Sequence, residues 1–203
     1  FNFEIDKFKY GPFVVKSYFW SFVLNGWGVK QVDSISRYNG GIGDMELFAM
    51  ARPNLPPHRV VGITGTNGKS TTTALVHHVL ESAGLPVRMG GNIGLPILSQ
   101  APLPSGGVYV LELSSYQIDI THTLACDAAV LINLSPDHLD RYDGYEGYMA
   151  SKARLFEMQT GHETSVFGKG DTDTERVYRD VLTRRGAEFV QAEVDQITPE
   201  SHA

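Results

Sequence analysis

Cysteine is nearly missing from this 203-residue sequence: Cys126 is its only one. One thiol cannot form an internal disulfide framework or a cysteine-based zinc site, which excludes the small disulfide-stapled and zinc-finger classes. An excess of positive charge is missing too. Seventeen Lys and Arg against 23 Asp and Glu give a net charge of −6 and a pI near 5.6, which argues against a protein that coats nucleic acid or an anionic membrane. Nor is there a long hydrophobic run. The most apolar stretch, Ser17 to Val29, is flanked by Lys16 and Lys30 and broken by Asn25. It falls short of the about 20 residues a spanning helix needs, and no small-residue cleavage site follows it. Internal repeats and low-complexity tracts are absent. The simplest expectation is a soluble protein of a reducing compartment, the cytoplasm. The first residue is Phe1, so a processed chain or a piece of something longer is expected.

Apolar residues make up 42% and charged residues 20%, enough for a core and unlike a disordered chain. At about 150 residues per domain, the length fits one domain or one and a remnant. Ten of the 21 aromatics crowd into residues 1–27 without a helical or strand period, so that segment has no readable chemistry. The turn Asn39-Gly40-Gly41-Ile42-Gly43 follows, then a short helix Asp44–Arg52 with Asp44 as N-cap and Pro53 as its stop. Pro53, Pro56 and Pro57 mark a boundary near residues 53–58.

From residue 59 strand and helix patterns alternate. Strands are expected at Arg59–Thr64, Val87–Met89, Val108–Leu113, Ala128–Leu134 and Thr164–Phe167. Helices are expected at Ser70–Ala83, with Leu75, Val79 and Leu80 on one face and Gly84 closing it, and at Tyr145–Met158. A last helix starts at a capping box, Thr172 with Glu175, and ends at Arg184-Arg185-Gly186. Strands alternating with helices imply crossover connections and a parallel sheet with helices on both faces.

The strongest chemical signal is Thr64-Gly65-Thr66-Asn67-Gly68-Lys69-Ser70-Thr71, set between a strand and a helix. Glycines let backbone N–H groups turn around phosphate oxygens, and the helix N-terminus adds positive potential. Lys69 would reach the terminal phosphates and the Ser70 hydroxyl would coordinate magnesium. The position five residues before Gly68 is Ile63, where the usual P-loop has glycine, so this is a variant.

Other polar residues fall at the carboxyl ends of the strands, where ligands bind in open parallel sheets. They are Gly91-Asn92-Ile93-Gly94, Glu112, Asn133 and His138. Glu112 ends an apolar strand and needs a partner, such as a cation at the phosphate site or a loop that it caps. Ser135-Pro136 reads as an N-cap and first helical position that would turn His138 to the rim. His58, His77, His78, His122, His162 and His202 read as surface or structural residues. Lys152 shares a helix face with Tyr148, Leu155 and Phe156. Its stem could be buried with the ammonium at the surface, or the amine could be desolvated, with a lowered pKa, and able to take up carbon dioxide as a carbamate.

Val61 to Ser70 resembles the ATP loop of the Mur ligases, which build the peptide stem of peptidoglycan. Gly91–Gly94, Glu112-Leu113-Ser114-Ser115-Tyr116-Gln117 and Asp137-His138-Leu139-Asp140-Arg141-Tyr142 resemble the branch of that family that adds D-glutamate. The resemblance runs from about Gly43 to Phe167. It implies ATP-dependent amide formation through an acyl phosphate, with UDP-N-acetylmuramoyl-L-alanine and D-glutamate as substrates. It also implies roles. Gly65 to Thr71 would bind the nucleotide, with Lys69 on the phosphates. Ser70 and Glu112 would hold one magnesium ion and His138 a second, with Lys152 joining the metal set as a carbamate. Asn92, Ser114, Gln117 and His138 would hold the muramoyl substrate, and Lys69, His138 and Lys152 form the catalytic set.

The family's members are longer, with an N-terminal domain for the UDP group and a C-terminal domain that closes over ATP. Residues 1–55 are therefore expected to be a remnant of an N-terminal domain, of which only Gly43–Arg52 is similar to the family. Residues 56–203 are expected to be an incomplete ATP-binding central domain. Two alternatives follow from this reading: a nucleotide-binding module that does not ligate on its own, and a ligase similar to folylpolyglutamate synthase.

Overall fold

The computed structural model describes residues 43–185 and 190–194. The aromatic-rich stretch 1–27, the turn at 39–42, Gly186 and His202 lie outside the described residues. The elements are α1 (Asp44–Ala51), β1 (His58–Thr64), α2 (Lys69–Ser82), β2 (Val87–Gly91), β3 (Gly107–Glu112), α3 (Ser115–Asp119), β4 (Ala128–Leu131), α4 (Gly144–Glu157), β5 (Thr164–Gly168), α5 (Thr172–Arg185) and β6 (Val190–Val194). The strands form one six-stranded sheet in the order β2-β3-β1-β4-β5-β6, with every neighbouring pair parallel.

Period-2 alternation divides the sheet's side chains between two cores. Tyr109, Leu111, Ala129 and Leu131 enter the larger core, which takes in α1, α3, α4 and α5. Ile63, Val108 and Val110 enter the smaller one, covered by Val76 and Leu80 of α2. Because both faces are covered, β3 is buried at all six positions, as its unbroken apolar run requires. Helix α1 belongs to this fold: Phe48 is fully buried and packs edge-on against Tyr109 at 5.0 Å. Glu46 reaches across to accept the N–H groups of His122 and Thr123.

Several local expectations change. Gly43, not Asp44, is the N-cap of α1, and the helix tightens into a 3-10 turn over Arg52–Asn54 that accommodates Pro53. Leu75 and Val79 are 59% and 55% exposed, so Thr73, Val76 and Leu80 form the inward face of α2. The expected grouping put together residues that the 3.6-residue turn separates. β4 stops at Leu131 because the chain leaves the sheet after Ile132 donates to the carbonyl of Thr64. No helix begins at Ser135-Pro136; the segment is a loop ending in a turn. The cap of α5 is Asp171, not Thr172: its carboxylate accepts the N–H groups of Asp173 and Thr174. Helix α3 and strand β6 had no counterpart in the sequence reading. Among the described residues no helix is long and apolar enough to cross a membrane.

Candidate functional site

β1 lies in the middle of the sheet, between β3 and β4. The chain runs to one side of β1 through β2 and β3 and to the other through β4, β5 and β6, making its tip the switch point where such sheets bind ligands. The loop Gly65–Gly68 leaves that tip and α2 starts at Lys69, with Gly68 as N-cap. The Lys69 ammonium folds back over its own loop, donating to the carbonyls of Gly65 at 3.0 Å and Thr66 at 2.8 Å.

Glu112, at the tip of β3, is 2% exposed. Both of its oxygens are engaged: Oε2 accepts from Ser70 Oγ at 2.8 Å, and Oε1 accepts from Asn92 Nδ2 at 2.9 Å. Asn92 is brought there by Gly91, whose φ is +93°; a Cβ at Gly91 would come within 2.1 Å of the Glu112 carbonyl oxygen, so only glycine permits the approach. Residues from the tips of β1, β2 and β3 thus meet in one hydrogen-bonded chain.

Helix α3 begins at a reciprocal cap. Ser114 Oγ accepts the N–H of Gln117, and Gln117 Oε1 accepts the N–H of Ser114, both at 3.2 Å. The signal for this helix, serine three residues before glutamine, stands in the sequence. The cap ties the two residues to each other at the start of α3, and of the two only Ser114 lines the site cavity.

His138 has a left-handed backbone, φ +51°, a conformation that costs a non-glycine residue about 1–3 kcal/mol and is found at functional sites. Its N–H donates to Asp137 Oδ1 at 2.9 Å, and its ring lies 5.0 Å from that of Tyr116. Lys152 on α4 is 2% exposed. Its ammonium does not reach the surface; it stands 4.8 Å from the Tyr148 ring and 3.4 Å from Thr64 Oγ1. Burial, reinforced by the nearby charge of Lys69, lowers its pKa to about 7, with Asp137 and Asp119 opposing the shift. Burial thus favours the free amine over the ammonium relative to a lysine in water.

Lys69, Asn92, Ser114, His138 and Lys152 all line one cavity of about 150 Å³. Thr71 sits in the first turn of α2 and is exposed. None of His58, His77, His78, His122 or His162 lines this cavity. Tyr116, Asp137 and Tyr148 also line it, and sequence reasoning assigned them no role. Tyr148 was legible only as an apolar neighbour of Lys152, four residues away. A larger cavity of about 420 Å³ between α4 and α5 shares no lining residue with this rim.

The Ser70 hydroxyl and Glu112 carboxylate are hard oxygen donors, which suit magnesium. Among the described residues no three His, Cys, Asp or Glu side chains cluster to hold a metal ion by themselves. An ion at Ser70 and Glu112 would have to complete its shell with water and phosphate oxygens, as magnesium commonly does.

Residues 63–196 match the family model described as the Mur ligase middle domain. The chain is 70% identical over 149 residues to the UDP-N-acetylmuramoylalanine--D-glutamate ligase of Novosphingobium aromaticivorans, an alignment that takes in 73% of this chain and 34% of that protein. It spans about a third of the length of the curated relatives it matches. The fold is similar to a solved UDP-N-acetylmuramoyl-L-alanyl-D-glutamate--2,6-diaminopimelate ligase, at TM-score 0.56 and 24% identity, over 72% of this chain and 34% of that one. It is also similar to Escherichia coli FolC in complex with DHPP and ADP, at TM-score 0.51 and 18% identity, over 85% of this chain and 50% of that one. A parallel sheet with a phosphate-type loop at its switch point and a family match over two thirds of the sequence converge: the chain belongs to the Mur ligase family.

Proposed function

We propose that this chain carries the phosphate-handling centre of an ATP-dependent ligase that joins D-glutamate to UDP-N-acetylmuramoyl-L-alanine, a cytoplasmic step of peptidoglycan precursor synthesis. The observation that carries the reading is the meeting of Lys69, the Ser70–Glu112–Asn92 chain, His138 and the buried Lys152 on one rim. The 70% identity to a relative bearing that activity in its name supports the choice of substrates. In this reading residues 56–203 belong to the ATP-binding central domain and residues 1–55 to a preceding one, although α1 shares the sheet's core.

The substrate carboxylate attacks the γ-phosphorus of ATP, forming an O–P bond as the bond to ADP breaks. The amine of D-glutamate then attacks the acyl carbon, forming the C–N bond and releasing phosphate and a proton. Two anions must meet in the first step, so the chain's task is neutralisation of charge. Gly65 to Thr71 surround the phosphates, and Lys69 exchanges its two loop carbonyls for phosphate oxygens. Asn92, Ser114, Gln117 and His138 hold the muramoyl substrate. Ser70, Glu112 and His138 would hold magnesium, which supplies further positive charge when bound. The Lys152 amine, its pKa lowered to about 7 by burial, adds to carbon dioxide: its nitrogen forms a bond to carbon as one C=O π bond opens onto oxygen, a proton leaves to solvent, and the carbamate oxygens would be anionic ligands for magnesium. Labelling with carbon-13 bicarbonate and reading the carbamate resonance in wild type and K152M tests that step.

Phosphate release by the chain with ATP, the muramoyl nucleotide and D-glutamate tests the ligase reading. Release that needs both co-substrates is expected; release with a folate acceptor and none with the muramoyl nucleotide would overturn it. The alternative reading is a module that binds ATP without ligating alone. ATP binding without turnover would support it.

A further inference from the structure

Asn133 stands just beyond the tip of β4, directly across from the phosphate loop, and the ligase chemistry assigns it no role. Its carboxamide engages both polar main-chain groups of Asn67: the Asn67 N–H donates to Asn133 Oδ1 at 2.9 Å, and Asn133 Nδ2 donates to the Asn67 carbonyl at 3.2 Å. The main chain continues the seam. The Thr66 N–H donates to the Asn133 carbonyl at 2.9 Å, and the Ser135 N–H donates to Thr66 Oγ1 at 3.0 Å. The two loops approach so closely that a Cβ at Gly65 would lie 3.2 Å from Ile132 Cβ and 3.3 Å from Asn133 N and O. From the other side, Asp171 Oδ2 accepts the N–H of Leu134 at 2.5 Å. The β4 loop is thus fixed to α5 behind it and to the phosphate loop in front.

A loop that cradles phosphate works by presenting several N–H groups in one direction, and each N–H spent elsewhere must be spent where it helps to hold that shape. We propose that Asn133 is a positioning residue of the phosphate loop: by binding both main-chain groups of Asn67 it fixes the turn from which Gly68 to Thr71 present their N–H groups to a nucleotide phosphate. The seam also joins the phosphate loop to the chain that leads from Asn133 to His138, so the two sides of the site hold one register. This rests on the nucleotide-binding part of the function proposed above.

Two measurements on the full chain keep the two ideas apart. The first needs no nucleotide: hydrogen exchange of the Thr66–Gly68 amides in wild type and N133A. Faster exchange confined to that segment, with an unchanged Tm, is expected; unchanged exchange, or a rise spread over the whole molecule, would overturn the proposal. The second is the Kd for ATP. N133A should bind about tenfold more weakly, the scale set by losing two neutral hydrogen bonds. Binding equal to or tighter than wild type would overturn the proposal, because it would mean that Asn133 competes with phosphate for the Asn67 N–H. N133D keeps the acceptor for that N–H but sets a carboxylate against the Asn67 carbonyl and the incoming phosphates. It should retain slow exchange at Asn67 yet bind ATP more weakly than N133A. If the wild-type chain binds no ATP, the nucleotide-binding reading fails, and the exchange comparison still decides whether Asn133 holds the loop.

Discussion

A lysine sealed from water is held in the wrong protonation state whenever the pH is below its folded pKa, and Lys152 is such a residue. Its pKa falls from 10.5 to about 7 in the folded chain. Between those values the unfolded chain binds more protons than the folded one, so this lysine makes stability rise with pH across that window. Below pH 7 the fold carries a buried ammonium at full cost. K152M should therefore raise Tm at pH 6 and lose most of that advantage by pH 10, measured by thermal denaturation in carbon dioxide-free buffer. A difference independent of pH would show that the amine is not desolvated. The sequence placed Lys152 on an apolar face beside Tyr148 but could not say whether its amine reached water; Thr64 beside the ammonium and the charge of Lys69 come from distant segments and decide it.

At the level of elements, termini and turns rest on specific side chains more than on propensity. Between α4 and β5, the Glu163 carboxylate accepts the N–H groups of Thr160 at 2.9 Å, Gly161 at 2.8 Å and His162 at 3.1 Å. Burial alone would raise its pKa, but these bonds outweigh it and bring it down to about 2. A folded pKa below the unfolded one contributes stability above the ordinary glutamate range that is lost as pH falls through 4.5 toward 2. E163Q should destabilise the chain at pH 7 by about 1 kcal/mol, allowing for solvent screening of a partly exposed group. The gap should close near pH 2, which chemical denaturation at both pH values would show. The cap of α5 teaches the same lesson: Thr172 with Glu175 satisfied the capping pattern, yet Asp171 one residue earlier does the capping because it also reaches the N–H of Leu134.

On the scale of the whole molecule, the sheet and the helices on its larger face share one core, and α1 is part of it. Phe48 is fully buried between His58 and Tyr109. F48A should cost about 3–5 kcal/mol, the range for emptying a buried phenylalanine site. Urea unfolding should remain a single transition with a lowered midpoint; loss of a separate early phase alone would mean that α1 unfolds independently.

What the residues themselves determined is the local grammar. Short runs bounded by turn signals set five of the six strands, most plainly β3, which is buried on both faces and apolar up to Glu112. The phosphate loop was legible as glycines, lysine and serine between a strand and a helix. The positions of Asn92, Glu112 and His138 followed from the rule that ligands meet strand tips. Strand order, the inward face of α2, the loop at Ser135-Pro136 and the partners of Glu112, Lys152 and Asn133 were decided by tertiary structure alone. Each depends on contacts between segments tens of residues apart, such as Asn67 with Asn133 or Ser70 with Glu112. No local pattern encodes such distances; they are fixed only when the strands take their places in the sheet.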